Sequence, residues 1–392
     1  MFPEFEARLP AFAKVIVRVG LNLQPGQRLL IAEPYELQGV ARSAAPLVEA
    51  VQEAARSAGG GRIDVIWGDP ARLHDLAARA DWRGVEAIAS ANARRMRAHL
   101  SNGGAFLFLL GSQPHLLDGI PPARVNELHG VTWENFGPVV QKLLGGATQW
   151  TLAPAPSSEW ADEVYSDLDA EHRLPALWRA VFAACRCDGP DPVAGWDLHL
   201  GRLLRQRDEF DARRLAGLRY VGEDTDLTVG LPRGHVWCTA RQVTRRGVPY
   251  TVNLPTDEIF TAPDKASANG RVRVARPVSY GGRLLEGIEL EFQAGQVVAA
   301  SARTGADLLQ EILGTDRGAR RLGEVAVVPA GWADPADGRC YRHALLDENS
   351  SHHIALGSAY PFCHRRTLLP AFALNRSLIH LDLPLAVELR EL

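Results

Sequence analysis

The sequence has few cysteines, few lysines and no excess of basic charge, and the first and last of these features each argue against a class of protein. Its 392 residues include five cysteines, which are odd in number and scattered. This argues against a disulfide framework and favours a reducing compartment. Lysine occurs at only three positions, which we attribute to coding bias. With a net charge of −3, the chain lacks the basic balance typical of nucleic-acid-binding proteins, so we expect no nucleic-acid partner.

The first 20 residues lack the features of a targeting segment. They begin with acidic rather than basic residues, and Lys14 and Arg18 interrupt the apolar positions. This pattern fits neither a signal peptide nor a transmembrane span. The apolar residues instead recur at helical spacing, which predicts an amphipathic first helix. We therefore expect a cytoplasmic protein with no membrane partner.

The N-terminal half alternates apolar strands with helices. Strand, helix and strand in succession predict a parallel sheet with right-handed crossovers, so residues 1–190 are expected to form an α/β domain with flanking helices. No phosphate-binding loop is evident, because the three glycines at 59–61 lack the surrounding motif. The expected strands lie within 24–34, 62–69, 104–111 and 149–156, and the expected helices within 39–58, 82–98, 121–145 and 158–187.

The pattern changes after the turn-rich segment CDGPDPVAG at 187–195. Beyond it, short strands such as TDLTVGLP and YTVNLP alternate with Gly, Asp and Pro turns, which predicts an antiparallel sheet. A few helices are expected among them, one of them at 306–313. Residues 191–392 are therefore expected to form a second, β-rich α+β domain.

Five residues of this second half are candidate metal ligands, and each lies in or beside a short apolar run. Buried carboxylates are costly unless they are paired or bound to a metal. Three carboxylates and two imidazoles suit two divalent ions such as Zn, Co or Mn. Two such ions can activate a water and hold a carbonyl, which is hydrolase chemistry. The five are Glu258, Glu324, His353, His380 and Asp382.

Taken one at a time, these residues leave alternatives open. His380 and Asp382 share one face of a strand and can chelate one ion, but a His–Asp pair is also a common structural motif. Glu324 could lie in solvent on an edge strand. Glu258 could be a solvated turn residue, and Asp257 competes with it.

Two further positions need the tertiary structure to be settled. His352 and His353 are adjacent, so they face opposite ways on a strand and at most one ligates a given metal. Tyr360 is either a core aromatic residue or a phenol that hydrogen-bonds a developing oxyanion. Cys185 and Cys187 have the wrong spacing for a zinc knuckle.

The combined motifs resemble the metalloaminopeptidase family of aminopeptidase T, AmpS and PepS. The resemblance covers essentially the whole chain. In the first half it rests on VGLNLQPGQRLLIAEP, VEAVQEAARSAG, DVIWGDP and QWTLAPAPSSEWA. In the second half it rests on TDLTVGLP, NLPTDEIFTAP, LGEVAVVP, LLDENSSHHIALGSAYP and HLD.

The resemblance implies the function and most of the site. It implies a metal-dependent aminopeptidase whose second half is catalytic, acting on peptides with a free N-terminus through a two-metal activated water, and forming a homodimer. The family's ligands correspond to the five residues above, with Glu258 favoured over Asp257. Glu324 is implied to bridge the metals, and Tyr360 to support the transition state. The proton shuttle is expected to be Glu324 or, second, Glu258.

Two other functions remain as alternatives. Ring-cleaving dioxygenases of dihydroxypyridines resemble this family and use one Fe(II), for which His353, His380 and Asp382 would suffice. The presence of Glu258 and Glu324 argues against a mononuclear site. A catalytically inactive binding homologue is the second alternative, supported by the short segment after Asp382. That segment contains Pro384, which would be unfavourable in a central strand because proline has no backbone N–H to donate to a neighbouring strand.

Overall fold

A computed structural model describes residues 3–33, 39–111, 116–280, 283–329, 338–365 and 374–392. Pro34, at the end of the first expected strand, lies outside the described residues. The chain forms two compact units, of which the first comprises residues 1–200 and 240–255. The second comprises 201–239 and 256–392. The segment 240–255 thus belongs to the first unit. The expected division into domains 1–190 and 191–392 stays a prediction.

Helices follow the expected positions in most of the first unit. None of the described helices is both long and apolar enough to cross a membrane. The α-helices are α1 (Pro3–Val15), α2 (Ala45–Ser57), α3 (Pro70–Ala78), α4 (Trp82–Ser101), α5 (Pro122–Leu144), α6 (Ser158–Val164), α7 (Ala170–Ala184), α8 (Pro192–Arg213), α9 (Ala306–Gly314) and α10 (Ala344–Asp347).

Strands are short and concentrated in the second half of the chain. They are β1 (Leu29–Ala32), β2 (Ile63–Val65), β3 (Ala105–Leu110), β4 (Trp150–Pro154), β5 (Gly217–Gly222), β6 (Thr225–Gly230), β7 (Arg241–Val243), β8 (Pro249–Thr251), β9 (Ile259–Thr261), β10 (Asn269–Arg273), β11 (Val278–Tyr280), β12 (Arg283–Leu285), β13 (Glu289–Gln293), β14 (Gln296–Ser301), β15 (Leu322–Val327), β16 (His353–Gly357), β17 (His380–Pro384) and β18 (Glu388–Glu391).

The first unit is built on a parallel sheet of four strands in the order β2-β1-β3-β4. β3 is a continuous apolar run with almost every residue buried, as expected for a strand covered on both faces. Phe106, Phe108 and Trp150 pack together in its core. The expected α/β class of the N-terminal half is confirmed.

The second unit is dominated by antiparallel sheets. One has six strands in the order β14-β13-β10-β6-β5-β18, and another has four in the order β17-β16-β15-β9. The expected β-rich α+β class is confirmed. β17 is an edge strand of the smaller sheet, and Pro384 is its last residue. An edge position tolerates a residue that cannot donate to the ladder, which explains how Pro384 is accommodated.

Three helical regions differ from the sequence expectations. Helix α3 was not expected between the strand at 62–69 and the helix at 82–98. The single helix expected at 158–187 is two helices, because the backbone leaves helical geometry at Tyr165 and α7 begins only at Ala170. The 22-residue helix α8 was not expected after the turn-rich segment. Its buried residues Trp196, Leu200 and Leu203 recur at helical spacing, so the signal was present but was outweighed by the turn signals before it.

Candidate metal centre

The smaller sheet of the second unit places the candidate ligands on one face. Glu324 on β15 lies opposite Ala355 on β16, which in turn lies opposite Asp382 on β17. His353 lies opposite Ala326 in the next row of the same face. Because side chains alternate along a strand, residues two apart share a face, and these rows bring distant carboxylates and imidazoles together.

Small residues on the same face leave room between the ligands. Ala326 and Ala355 carry only a methyl group, and Gly357, which lies opposite His380, carries none. Phe260 on β9 pairs with Ala326 on β15. Glu258 lies two residues before Phe260, so its side chain is on the same face of the sheet, next to β15. This face of the sheet therefore carries charged side chains next to small ones.

A bulge at Gly323 sets the direction of Glu324. Leu322 pairs with Leu356 but Glu324 pairs with Ala355, so the register shifts by one residue between them. A Cβ at Gly323 would collide with the carbonyl oxygens of Gly357 and Ser358, so only glycine fits. Such a bulge re-aims a side chain, and here it turns Glu324 towards the other ligands.

The side chains form two groups that share Glu324. In the first group, Nε2 of His353 lies 3.0 Å from Oε2 of Glu258 and 3.6 Å from Oε1 of Glu324. In the second group, Nε2 of His380 lies 3.3 Å from Oδ1 of Asp382 and 3.7 Å from Oε2 of Glu324. The ligand atoms of each group lie within 4.8 Å of one another. The two carboxylate oxygens of Glu324 thus face different histidines.

Both histidines are oriented through their other ring nitrogen. Nδ1 of His353 lies 3.4 Å from the carbonyl oxygen of Ser351, and Nδ1 of His380 lies 2.9 Å from that of Ser358. A backbone carbonyl that accepts from Nδ1 leaves Nε2 available as a metal ligand. Nε2 is the atom that faces the carboxylates in both cases.

The competing residues do not join the two groups. His352 is outside both groups, and its Nδ1 accepts a hydrogen bond from the backbone N–H of Val328 at 3.1 Å. Asp257 is also outside both groups, and its backbone N–H donates to Oδ1 of Asn349 at 2.6 Å. The structure therefore brings Glu258 and His353 to the centre rather than their neighbours.

Burial and bonding of these residues fit a bound cation. The side chains of Glu258, Glu324 and His353 are only 6, 5 and 1% exposed. Oε2 of Glu324 is buried and accepts no hydrogen bond, and Oε2 of Glu258 is buried with Nε2 of His353 3.0 Å away. Buried carboxylate oxygens without donors are costly, and a divalent ion would remove that cost. Three carboxylates with two imidazoles suit Zn, Co or Mn.

The ionisable groups perturb one another strongly. Burial raises the pKa of Glu324, and the charges of Glu258 and Asp382 raise it further against the opposing effect of the histidines. Burial by itself lowers the pKa of His380, but the charge and hydrogen bond of Asp382 and the charge of Glu324 outweigh it and raise the pKa to about 9. Strongly shifted groups clustered in one place are typical of functional sites.

Tyr360 lies next to the second group, and Glu348 is subject to the charges of both groups. The Tyr360 ring lies 5.2 Å from the His380 ring and stacks on Phe362 at 5.3 Å. Glu348 is buried, and its pKa is raised well above the usual range by that burial and by the charges of Glu258 and Asp382. Sequence reasoning missed Glu348, because a glutamate in the polar run DENSS resembles an ordinary surface turn.

Comparisons with known proteins show the family of the chain. The model of the thermophilic metalloprotease family M29 matches residues 5–388. Aminopeptidase T of Thermus thermophilus is 36% identical over 96% of this chain and 92% of its own length. Aminopeptidase AmpS of Bacillus subtilis is 32% identical over 96% and 92%. The structure of wild-type AmpT from Thermus thermophilus superposes with a TM-score of 0.88 at 33% identity, covering 99% of this chain and 96% of that one. The chain therefore belongs to the thermophilic metalloprotease family M29 and is a metal-dependent peptidase.

Proposed function

We propose that the protein is an aminopeptidase that releases N-terminal residues from peptides with two divalent metal ions per chain, Zn, Co or Mn. The observation that carries this proposal is the sharing of Glu324 between two ligand groups, with one carboxylate oxygen facing each histidine. Glu258 and His353 would hold one ion, and His380 and Asp382 the other. When bound, such a pair of ions supplies an activated water and polarises the scissile carbonyl.

We propose that the substrate reaches the centre from the side of His380 and Asp382. Their side chains are 24% and 17% exposed, whereas those of the first group are almost completely buried. Tyr360 lies beside His380, and this proximity supports the proposal that its phenol donates a hydrogen bond to the oxyanion that develops on the scissile carbonyl. Glu258 and His353 would then set the charge of the centre, while His380 and Asp382 would lie next to the bound peptide.

Proton transfer to the leaving amine requires a carboxylate that is not fully committed to a metal. Glu324 and then Glu258 are the candidates from the sequence, and Glu348 joins them. Its burial beside the centre favours the protonated form, which is the form that can donate to a leaving group. We also propose a cytoplasmic homodimer, for which the family resemblance is the support.

The proposal is tested by measuring metal content and peptidase activity on the same sample. The purified protein is chelated, reloaded with Zn, Co or Mn, and assayed on aminoacyl anilides, on short peptides and on the same peptides after N-acetylation. We expect two metals per chain and metal-dependent release of residues from the free peptides only. One iron per chain without peptidase activity would instead support the dioxygenase alternative. Absence of bound metal would support a binding homologue.

A further inference from the structure

Asn375 is a buried polar residue that joins three segments of the second unit. It is only 3% exposed, and its Nδ2 donates to the carbonyl oxygens of Gly318 at 2.8 Å and of Gly357 at 2.6 Å. The carbonyl oxygen of Arg321 lies 3.4 Å from the same nitrogen. A buried amide bound in this way holds its partners firmly, because a broken bond would leave a buried N–H without an acceptor.

The three segments connect the strands that carry most of the candidate ligands. Arg321 directly precedes β15, Gly357 is the last residue of β16, and Asn375 lies in the segment that leads into β17. Close approach of these segments depends on two glycines, because a Cβ at Gly357 would collide with the carbonyl oxygen of Ile379, and a Cβ at Gly318 with that of Arg376. The short side chain of Asn375 therefore reaches all three segments.

Asn375 also holds the chain on both sides of Ser358. Its side chain binds the carbonyl oxygen of Gly357, and its own backbone carbonyl accepts from the N–H of Ala359 at 3.1 Å. Between these two contacts, the N–H of Ser358 donates to the carbonyl oxygen of Ile379 at 2.8 Å. Ser358 is therefore fixed by hydrogen bonds at the residue before it, at itself and at the residue after it.

The carbonyl oxygen of Ser358 orients a candidate metal ligand. It lies 2.9 Å from Nδ1 of His380, and because a carbonyl oxygen can only accept, Nδ1 is the nitrogen that donates. The other ring nitrogen, Nε2, lies 3.3 Å from Asp382 and 3.7 Å from Glu324. A shift of the Ser358 carbonyl would therefore turn the imidazole and move Nε2 relative to both carboxylates. Tyr360, whose ring is beside that of His380, is only two residues after Ser358.

We propose that Asn375 is a positioning residue of the peptidase, which acts by fixing the Ser358 carbonyl and through it His380 and Tyr360. This inference rests on the proposed function, because that function assigns one metal ion to His380 and Asp382. Asn375 thus supports the ion of the second group and the phenol next to it through the backbone, and not by contact with the substrate.

The proposed effect is restricted to one of the two ligand groups. His353 of the first group is oriented by a different carbonyl, that of Ser351, which lies 3.4 Å from its Nδ1. Loss of the Asn375 side chain should therefore disturb the second group and leave the first group in place. General destabilisation of the fold would instead affect both groups alike.

Asn375→Ala tests the proposal in a titration of the chelated protein with Co(II), followed by visible absorption, and in steady-state kinetics. We expect one ion to bind about tenfold more weakly and the other with unchanged affinity, as when a residue that supports a ligand is removed. We expect kcat to fall about tenfold with little change in KM, because the lost interactions act in the transition state. Asn269→Ala, the matched control, should behave like the unaltered protein. Asn269 donates the same kind of hydrogen bond, from Nδ2 to the carbonyl oxygen of Ser267 at 2.8 Å, but lies exposed on β10.

Two results would overturn the proposal. Equal weakening of both ions together with a lower Tm would show that Asn375 only stabilises the fold. Unchanged metal affinities and an unchanged kcat would show that the Ser358 carbonyl does not depend on it. If Asn375→Ala does not fold, Asn375→Gln is measured in its place with the same expectations, because it keeps an amide but lengthens the side chain by one methylene group.

Failure of the proposed function would be recognised separately. An unaltered protein that binds no pair of metals and releases no N-terminal residues would overturn that function. The positioning of His380 would then be decided by a crystal structure of Asn375→Ala. A distance from Nδ1 to the Ser358 oxygen beyond about 3.5 Å, the limit for a hydrogen bond, would support it. An unchanged distance of 2.9 Å would refute it.

Discussion

At the scale of single residues, the centre depends on one side chain that belongs to two groups. Glu324 is buried, one of its oxygens accepts no hydrogen bond, and each oxygen lies within 3.7 Å of a different imidazole. A carboxylate in this position is expensive unless positive charge is present on both sides. Neutralising Glu324 should therefore affect both groups at once.

We expect Glu324→Gln to lower peptidase activity by about 100-fold or more, the size of loss typical when a preorganised electrostatic group is removed. The number of metals bound per chain should also fall, because an amide cannot bridge two cations as a carboxylate does. Metal analysis and steady-state kinetics check both expectations. Glu291→Gln is the control, since Glu291 is an exposed glutamate on β13. Full activity with both metals bound would show that Glu324 is neither the bridge nor the shuttle.

At the scale of elements, the four-stranded antiparallel sheet brings the candidate ligands together, because alternate residues of each strand lie on the same face. β15, β16 and β17 contribute four of the five candidate ligands, and the ladder registers decide which of them become neighbours. The bulge at Gly323 is part of that register, since it shifts the pairing by one residue just before Glu324. A one-residue slip turns a side chain to the opposite face, so the bulge is a requirement of the site.

Gly323→Ala should lower the free energy of unfolding by about 3 kcal/mol or more, because the added Cβ meets backbone oxygens that cannot move aside. Gly314→Ala is the matched control. Gly314 is the last residue of α9, and nothing lies within 4 Å of a Cβ built there. Replacing a helical glycine by alanine stabilises by roughly 0.5–1 kcal/mol. Urea denaturation of both variants distinguishes them, and equal stabilities would refute the requirement for glycine at 323.

At the scale of the whole molecule, metal binding at the proposed centre would couple the stability of the fold to its cofactor. Glu258, Glu324 and Asp382 bring three carboxylates into one small region of the second unit. Without cations these charges repel one another, and their burial is unfavourable. A ligand that binds only the folded state stabilises it by mass action.

Removal of the metals should therefore lower the Tm. A metal at 100 times its Kd contributes about 2.7 kcal/mol, which corresponds to a shift of roughly 5–10 °C for a unit of this size. Calorimetry with chelator and after reloading measures the shift. His353→Ala, which lacks one ligand of the first group, should show a smaller shift. A Tm that is indifferent to chelator would mean that the carboxylates are tolerated without cations.

The sequence by itself determined the fold classes of both halves and the identity of the residues that meet at the centre. Alternating strands and helices predicted the parallel sheet, and the motifs around Glu258, Glu324 and His353 gave the family. These signals are local, because periodicity and turn chemistry depend on residues only a few positions apart. For the same reason the sequence identified His380 and Asp382 as a pair on one strand face.

Only the tertiary structure decided which distant side chains lie together. It left His352 and Asp257 outside both groups, placed the two oxygens of Glu324 opposite different histidines, and buried Glu348 where the charges of Glu258 and Asp382 act on it. It also returned residues 240–255 to the first unit. Such contacts depend on ladder register, on a single bulge and on close packing between segments far apart in the chain, and none of these is encoded by a local pattern.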